Sequence, residues 1–229
     1  MIFDLIRGGF SLQLFIDLMA RIFVIFCVLP FHEYAHAFIA TKLGDQTARL
    51  SGRLTLNPLA HIDPIGALMM LILGFGYAKA VPVNIRNFKN RKKSMALTAL
   101  AGPVSNLIMG FISIAFMNIV FYYFIRTNST ILEVLMYFFF FNATINISLA
   151  VFNLIPIPPL DGSRLAAVII PDKYYYKIMQ YERYIMIGVL ILLFAGASKY
   201  IVSISQFIYN LFNWNHMLDI SSNGDFIWK

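Results

Sequence analysis

The segment His32-Glu33-Tyr34-Ala35-His36 is the part of this chain best suited to chemistry. On a helix, residues four apart stand one turn above each other, so both imidazoles can reach one metal ion. The carboxylate between them is then set to act on a metal-bound water rather than to ligate. A third ligand must come from elsewhere. The chain has one cysteine, Cys27, and cannot build a thiolate site, so the ligands must be histidine and carboxylate. The best-placed carboxylate is Asp161, at the end of Asn153-Leu-Ile-Pro-Ile-Pro-Pro-Leu-Asp161-Gly162. Its other reading is an N-cap, with Gly162 as turn residue, on a short helix that starts at Ser163 and ends before Pro171. Two histidines and a carboxylate leave one tetrahedral position for water, as hydrolytic zinc sites require. In that chemistry Glu33 takes a proton from the water and hands it to the departing amine of a peptide.

These groups need a scaffold, and the scaffold is apolar. Of 229 residues, 59% are hydrophobic and 13% charged, with a mean hydropathy of +0.72, which excludes an ordinary soluble enzyme. The fold class expected is an all-α polytopic membrane protein. Spans are expected over about 12–42, 95–125, 131–155 and 181–212, each long enough for about 30 Å of hydrocarbon. The stretch 64–78 is shorter and interrupted by Gly66, Gly74 and Gly76. It is read as re-entrant, with possible short β-strands near the active site. The first span leads straight into the histidines, so it is read as retained rather than cleaved as a signal peptide.

His32 and His36 lie near the end of the first span and Asp161 just past the end of the third. To meet, they need an even number of crossings between them, which 95–125 and 131–155 supply. Charge gives a second line of argument. On this topology thirteen Lys and Arg, between Lys42 and Lys93 and between Arg164 and Arg183, share the metal-site side, against Arg7, Arg126 and Lys229 opposite. By the positive-inside rule the site faces the cytoplasm of a multi-pass protein in the cell membrane. The net charge of +7 then reflects topology, with anionic headgroups as a second role for the cluster from Arg86 to Lys93, and no nucleic acid is expected.

Other polar residues fall into place on the same scaffold. Asp17 and Arg21 are four apart and pair within the first span, too far from His32 to share its metal. Asn142, Asn146 and Asn153 share one helix face; the first two are read as interhelical hydrogen-bonding groups. Asn153 is open to that reading and to a second, donation to the oxyanion. Ala101-Gly102-Pro103 brings small residues and a kink to the second long span, suited to close helix approach. His61 sits in a turn-rich stretch, its role open, and His216 lies on the far side.

With these residues assembled, the chain resembles the site-2 proteases, the intramembrane zinc metalloproteases of peptidase family M50, in their compact bacterial form. The resemblance runs from about Val24 to Pro171. It rests on Phe31-His32-Glu33-Tyr34-Ala35-His36-Ala37, on Arg53 to Gly66 with Asn57-Pro58 and His61-Ile-Asp63-Pro64, on Ala101 to Asn106, and on Phe152 to Gly162. It implies one Zn2+ on His32, His36 and Asp161, Glu33 as general base, and Asn153 assisting at the tetrahedral intermediate. It further implies a transmembrane protein substrate cut near the cytosolic leaflet. Many relatives carry a PDZ domain between the metal motifs or a nucleotide-sensing CBS domain after the core. Here the Arg126–Thr130 connection is too short for a domain and no soluble module follows, so one integral-membrane domain over 1–229 is expected. The stretch from Gly74 to Asn84 offers an edge to an unwound substrate strand instead. The alternative function is a catalytically silent zinc-binding membrane protein or a transporter. A transporter needs no base at Glu33 and would show inverted halves, which this chain lacks. The substrate's identity and the oligomeric state are not legible.

Overall fold

The computed structural model describes residues 11–73, 76–213, 218–220 and 226–228; Arg7, Gly74, His216 and Lys229 fall outside the described residues. In chain order the helices are α1 (Leu12–Lys42), α2 (Thr47–Leu50), α3 (Pro58–His61), α4 (Pro64–Leu73) and α5 (Arg91–Thr127). They continue with α6 (Thr130–Asn153), α7 (Asp161–Ala166), α8 (Asp172–Met179) and α9 (Glu182–Phe212). Of these, α1, α5, α6 and α9 are long and apolar enough to cross a membrane. They correspond to the four expected spans with ends shifted by a few residues. A short antiparallel ribbon, β1 (Leu218–Ile220) with β2 (Phe226–Trp228), pairs Leu218 with Trp228.

Helix α1 carries Pro30, which has no N–H and crowds the carbonyl four residues back. The helix absorbs it with a π turn over Val24–Val28, where the Leu29 N–H reaches the Val24 carbonyl. The helix then runs unbroken through His32 and His36 to Lys42. Helices α5 and α6 form an antiparallel pair, joined through Asn128 in the left-handed conformation (φ 48°). Close approach depends on Gly110, where a Cβ would press on Ile147 Cγ1 at 3.0 Å. Ile114, Met117 and Phe121 of α5 interlock with Met136, Phe140 and Ile147 of α6, with Ile16 of α1 and Tyr209 of α9. Lipid is as apolar as these side chains, so it is close packing rather than the hydrophobic effect that holds them. Residues such as Phe116, Ile119 and Ile191 stay exposed, as expected of a lipid-facing surface.

Helix α9 packs into the core through its C-terminal half. Tyr209 is buried, donates its hydroxyl to Met117 Sδ (3.2 Å) and meets Phe140 edge-on. Toward its N-terminal half, Gly196 (φ 103°) breaks the regular geometry, and Glu182–Leu192 has no buried residue.

Between α3 and α5 the chain doubles back. Helix α4 has ten residues, about 15 Å, half a bilayer. The Lys79 N–H then donates to the His61 carbonyl (2.8 Å), closing the excursion at its base. Gly66 and Gly76 make this possible: a Cβ on Gly66 would strike the Tyr77 carbonyl, and one on Gly76 the Gly66 carbonyl.

Three expectations need correction. No strand forms among residues 76–84, because their amides are taken by separate groups instead of a neighbouring ladder: Lys79 by His61, Val81 by Glu33, Asn84 by Asp45. Helix α6 ends at Asn153, not 155, since Ile155 precedes Pro156 and is disfavoured from helical geometry. Helix α7 begins at Asp161, not Ser163; Leu160 holds the N-cap position, and the Asp161 carboxylate is free to face the histidines.

Candidate metal centre

Helix α1 presents His32 and His36 on one face, and the Pro-rich turn after α6 delivers Asp161 at the first residue of α7. His32 Nε2 and His36 Nε2 are 3.0 Å apart; Asp161 Oδ2 lies 3.1 Å from His36 Nε2 and 3.4 Å from His32 Nε2. Two ligand atoms each about 2.0–2.1 Å from a tetrahedral zinc are about 3.3 Å apart. The three observed separations therefore fit a shared tetrahedral ion. Among the described residues, this is the one group of three or more His, Cys, Asp or Glu whose donor atoms could hold a metal.

The surroundings prepare the donors. His36 Nδ1 donates to the Thr98 carbonyl (2.7 Å), which puts the ring proton on Nδ1 and leaves the Nε2 lone pair facing Asp161. Thr98 lies in the turn of α5 that Pro103 disrupts. One turn on is Gly102, where any Cβ would collide with His36 Nε2 and with both imidazole rings. Gly162 is equally confined, against the Leu154 and Ile155 carbonyls, and this fixes how the turn brings Asp161 in. Burial by itself favours the neutral acid at Asp161. The imidazoles of His36 and His32 outweigh it and hold the carboxyl below the usual carboxylate range. Arg164 reaches Asp161 Oδ1 from the next turn at 3.9 Å.

Glu33 is buried beside the histidines, and its Oε2 accepts the Val81 N–H (3.0 Å). The segment carrying Val81 is pinned again by Asp45, just past the end of α1. Asp45 Oδ2 accepts the Asn84 N–H (2.7 Å), and Oδ1 accepts from Asn87 Nδ2 (2.7 Å) and from Thr47. Burial opposes ionisation of Asp45, but these donors prevail and its carboxyl titrates below the usual range.

Asn153 lines the same cavity, its Nδ2 donating to Leu149 O (2.9 Å). Asn142 and Asn146 likewise donate back within α6, to Phe138 O and Asn142 O, instead of across to another helix as expected. His61 is fully buried and away from the donor cluster, with Nε2 donating to Thr55 O. The cavity has a volume of about 310 Å³ and reaches from the donors past Ala78 and Ala80 to Met186 and Leu190 of α9. Sequence reasoning missed the Thr98 carbonyl, the Val81 amide and the α9 wall. The first two are backbone groups without a residue-type signal, and an apolar wall looks like any lipid-facing face.

Comparison with known proteins agrees with this geometry. A family profile described as peptidase family M50 matches residues 20–195. The chain is 40% identical over 171 residues to the "Putative zinc metalloprotease YwhC" of Bacillus subtilis, covering 75% of this chain and 78% of that protein. It is 30% identical over 165 residues to the "Putative zinc metalloprotease Rip2" of Mycolicibacterium smegmatis, covering 69% of this chain and 59% of the relative. For Rip2 of Mycobacterium tuberculosis the figures are 32% over 139 residues, 58% of this chain and 51% of the relative. No solved structure gives a significant match.

Proposed function

The chain belongs to peptidase family M50 and is a zinc metalloprotease of the site-2 type, and from this we propose that it cuts transmembrane substrates within the cytoplasmic membrane. The observation that carries the reading is a hydrolytic donor set at the wall of a cavity among helices long enough to span a bilayer. His32, His36 and Asp161 would hold the zinc. Once bound, it supplies Lewis acidity and lowers the pKa of a water to about 7.

The protein's own groups do the rest. Glu33 takes the proton of the attacking water and delivers it to the leaving amine. The Val81 N–H on Oε2 fixes the carboxylate while it does so. Asn153 uses its second amide hydrogen to donate to the carbonyl oxygen as charge develops there. The Thr98 carbonyl keeps His36 oriented, and Gly102 keeps α5 clear of the rings.

A helical substrate has its carbonyls bonded internally and must unwind to be attacked. In an extended segment, neighbouring residues turn their backbone groups to opposite edges. With Lys79 and Val81 bonded inward, Ala78 and Ala80, which line the cavity, present the edge to an unwound strand. The closure of Lys79 on His61 supports reading α4 as re-entrant. That leaves two crossings between the histidines and Asp161, and by the charge asymmetry the site faces the cytoplasm in one integral-membrane domain. Its partners are then the bilayer and a membrane protein substrate.

The test is Glu33→Gln, expressed in parallel with the wild type. Zinc content should hold while an intact single-span protein accumulates in the variant's membranes. Continued cleavage by Glu33→Gln would refute the assignment.

A further inference from the structure

Asp17 and Arg21 are charges inside the first span, and the metal centre does not use them: Arg21 lies eleven residues, about 16 Å along α1, from His32. Intramembrane charges are expensive and are kept for a reason. Arg21 Nε donates to Asp17 Oδ2 at 2.9 Å, and Arg21 Nη1 donates to the Met70 carbonyl of α4 at 3.1 Å. Met70 lies in the last described turn of α4. A cation near a helix C-terminus meets the negative end of the dipole.

We infer that the Asp17–Arg21 pair is a positioning device: it ties the last described turn of α4 to α1 and thereby holds the returning segment 76–84 against Glu33. At the base, three amides of the returning segment are held, Lys79 on His61, Val81 on Glu33 and Asn84 on Asp45, and the Lys79 carbonyl accepts from Arg53 Nη2. Between them runs α4, with Met70 buried against Val24, Ile25 and Val28 of α1 and Met69 on the cavity wall. Fixing the tip at Arg21 and the base at His61 fixes the register of everything carried between. This rests on the re-entrant reading of α4.

The experiment is hydrogen exchange on the full chain in lipid nanodiscs, following peptides that cover 76–84. Removing one charge alone strands its partner, so the informative variant is the double apolar replacement Asp17→Leu/Arg21→Leu, which commonly preserves folding. Its exchange over 76–84 should rise about tenfold or more, the equilibrium weight of one charge-assisted hydrogen bond. Peptides from α5 and α6 and the zinc content should not change, and Arg21→Lys should restore most of the protection. Wild-type protection over 76–84 in the double variant would overturn the proposal, as would a uniform rise over all helices. If wild type itself shows no protection at Lys79, the closed base is wrong and the re-entrant reading falls with it.

Discussion

Gly102→Ala adds one methyl group, and the structure says where it must go. An ideal Cβ at residue 102 sits 2.5 Å from Cε1 of both His32 and His36, and nearer still to His36 Nε2. Carbon atoms rest at about 3.5–4.0 Å, so each ring must retreat by about 1 Å. Ligand distances tolerate only about 0.2 Å. The rings cannot withdraw easily either: His36 is tied to Thr98 O, and both are buried on α1. Zinc affinity should therefore fall by at least about 100-fold, while overpacking costs about 1–3 kcal/mol of stability. Chelator competition followed by metal analysis reads the first, and thermal unfolding in detergent the second. Two alanine controls bracket the result. At Gly188 nothing lies within 4 Å, and at Gly110 the nearest atom is Ile147 Cγ1 at 3.0 Å, on the α5–α6 seam and not on the histidines, so both should keep zinc. A Gly102→Ala protein that binds zinc as tightly as the Gly188→Ala control would refute the reasoning.

Other substitutions separate the supporting groups. Ala80→Pro removes an amide from the cavity edge without touching the bonds of Lys79, Val81 or Asn84; cleavage of a single-span substrate should fall more than about tenfold with zinc retained. Unchanged cleavage would mean that the substrate does not pair there. Asp45→Asn turns an amide toward donors and should cost about 1–3 kcal/mol. Because the folded-state pKa of Asp45 is lowered, its ionised form stabilises the fold above about pH 4. The melting-temperature gap between wild type and Asp45→Asn should then hold from neutral pH down to about 4 and close as pH falls further. Arg164→Gln leaves Asp161 Oδ1 without its cation and should weaken zinc binding by about tenfold, read by chelator competition.

The four long helices were legible because a bilayer demands long apolar runs, and these stand out by composition alone. The pairing of Asp161 with His32 and His36 was read from the chemistry of the donor set, which needs a carboxylate where no thiolate is available, and the count of crossings was drawn from it. Helix ends were less legible. The π turn at Val24–Val28 and the start of α7 at Asp161 are settled by local hydrogen bonding around prolines, which the letters only bound. Least legible were the contacts in which one partner is backbone: Thr98 O on His36, Val81 N–H on Glu33, Met70 O on Arg21. Every residue owns those groups, so no pattern announces them. Gly102 was visible as a small residue in a kinked helix, but only the fold puts it against the two imidazoles rather than against a neighbouring helix.

The most direct test of the metal centre is zinc K-edge absorption on the purified, zinc-loaded protein, compared with Asp161→Ala. The wild type should show two imidazole ligands at about 2.0–2.1 Å with oxygen donors completing the shell, and the variant should lose an oxygen donor or the metal altogether. A sulfur ligand, a single imidazole, or an identical spectrum from Asp161→Ala would contradict a zinc site built on His32, His36 and Asp161.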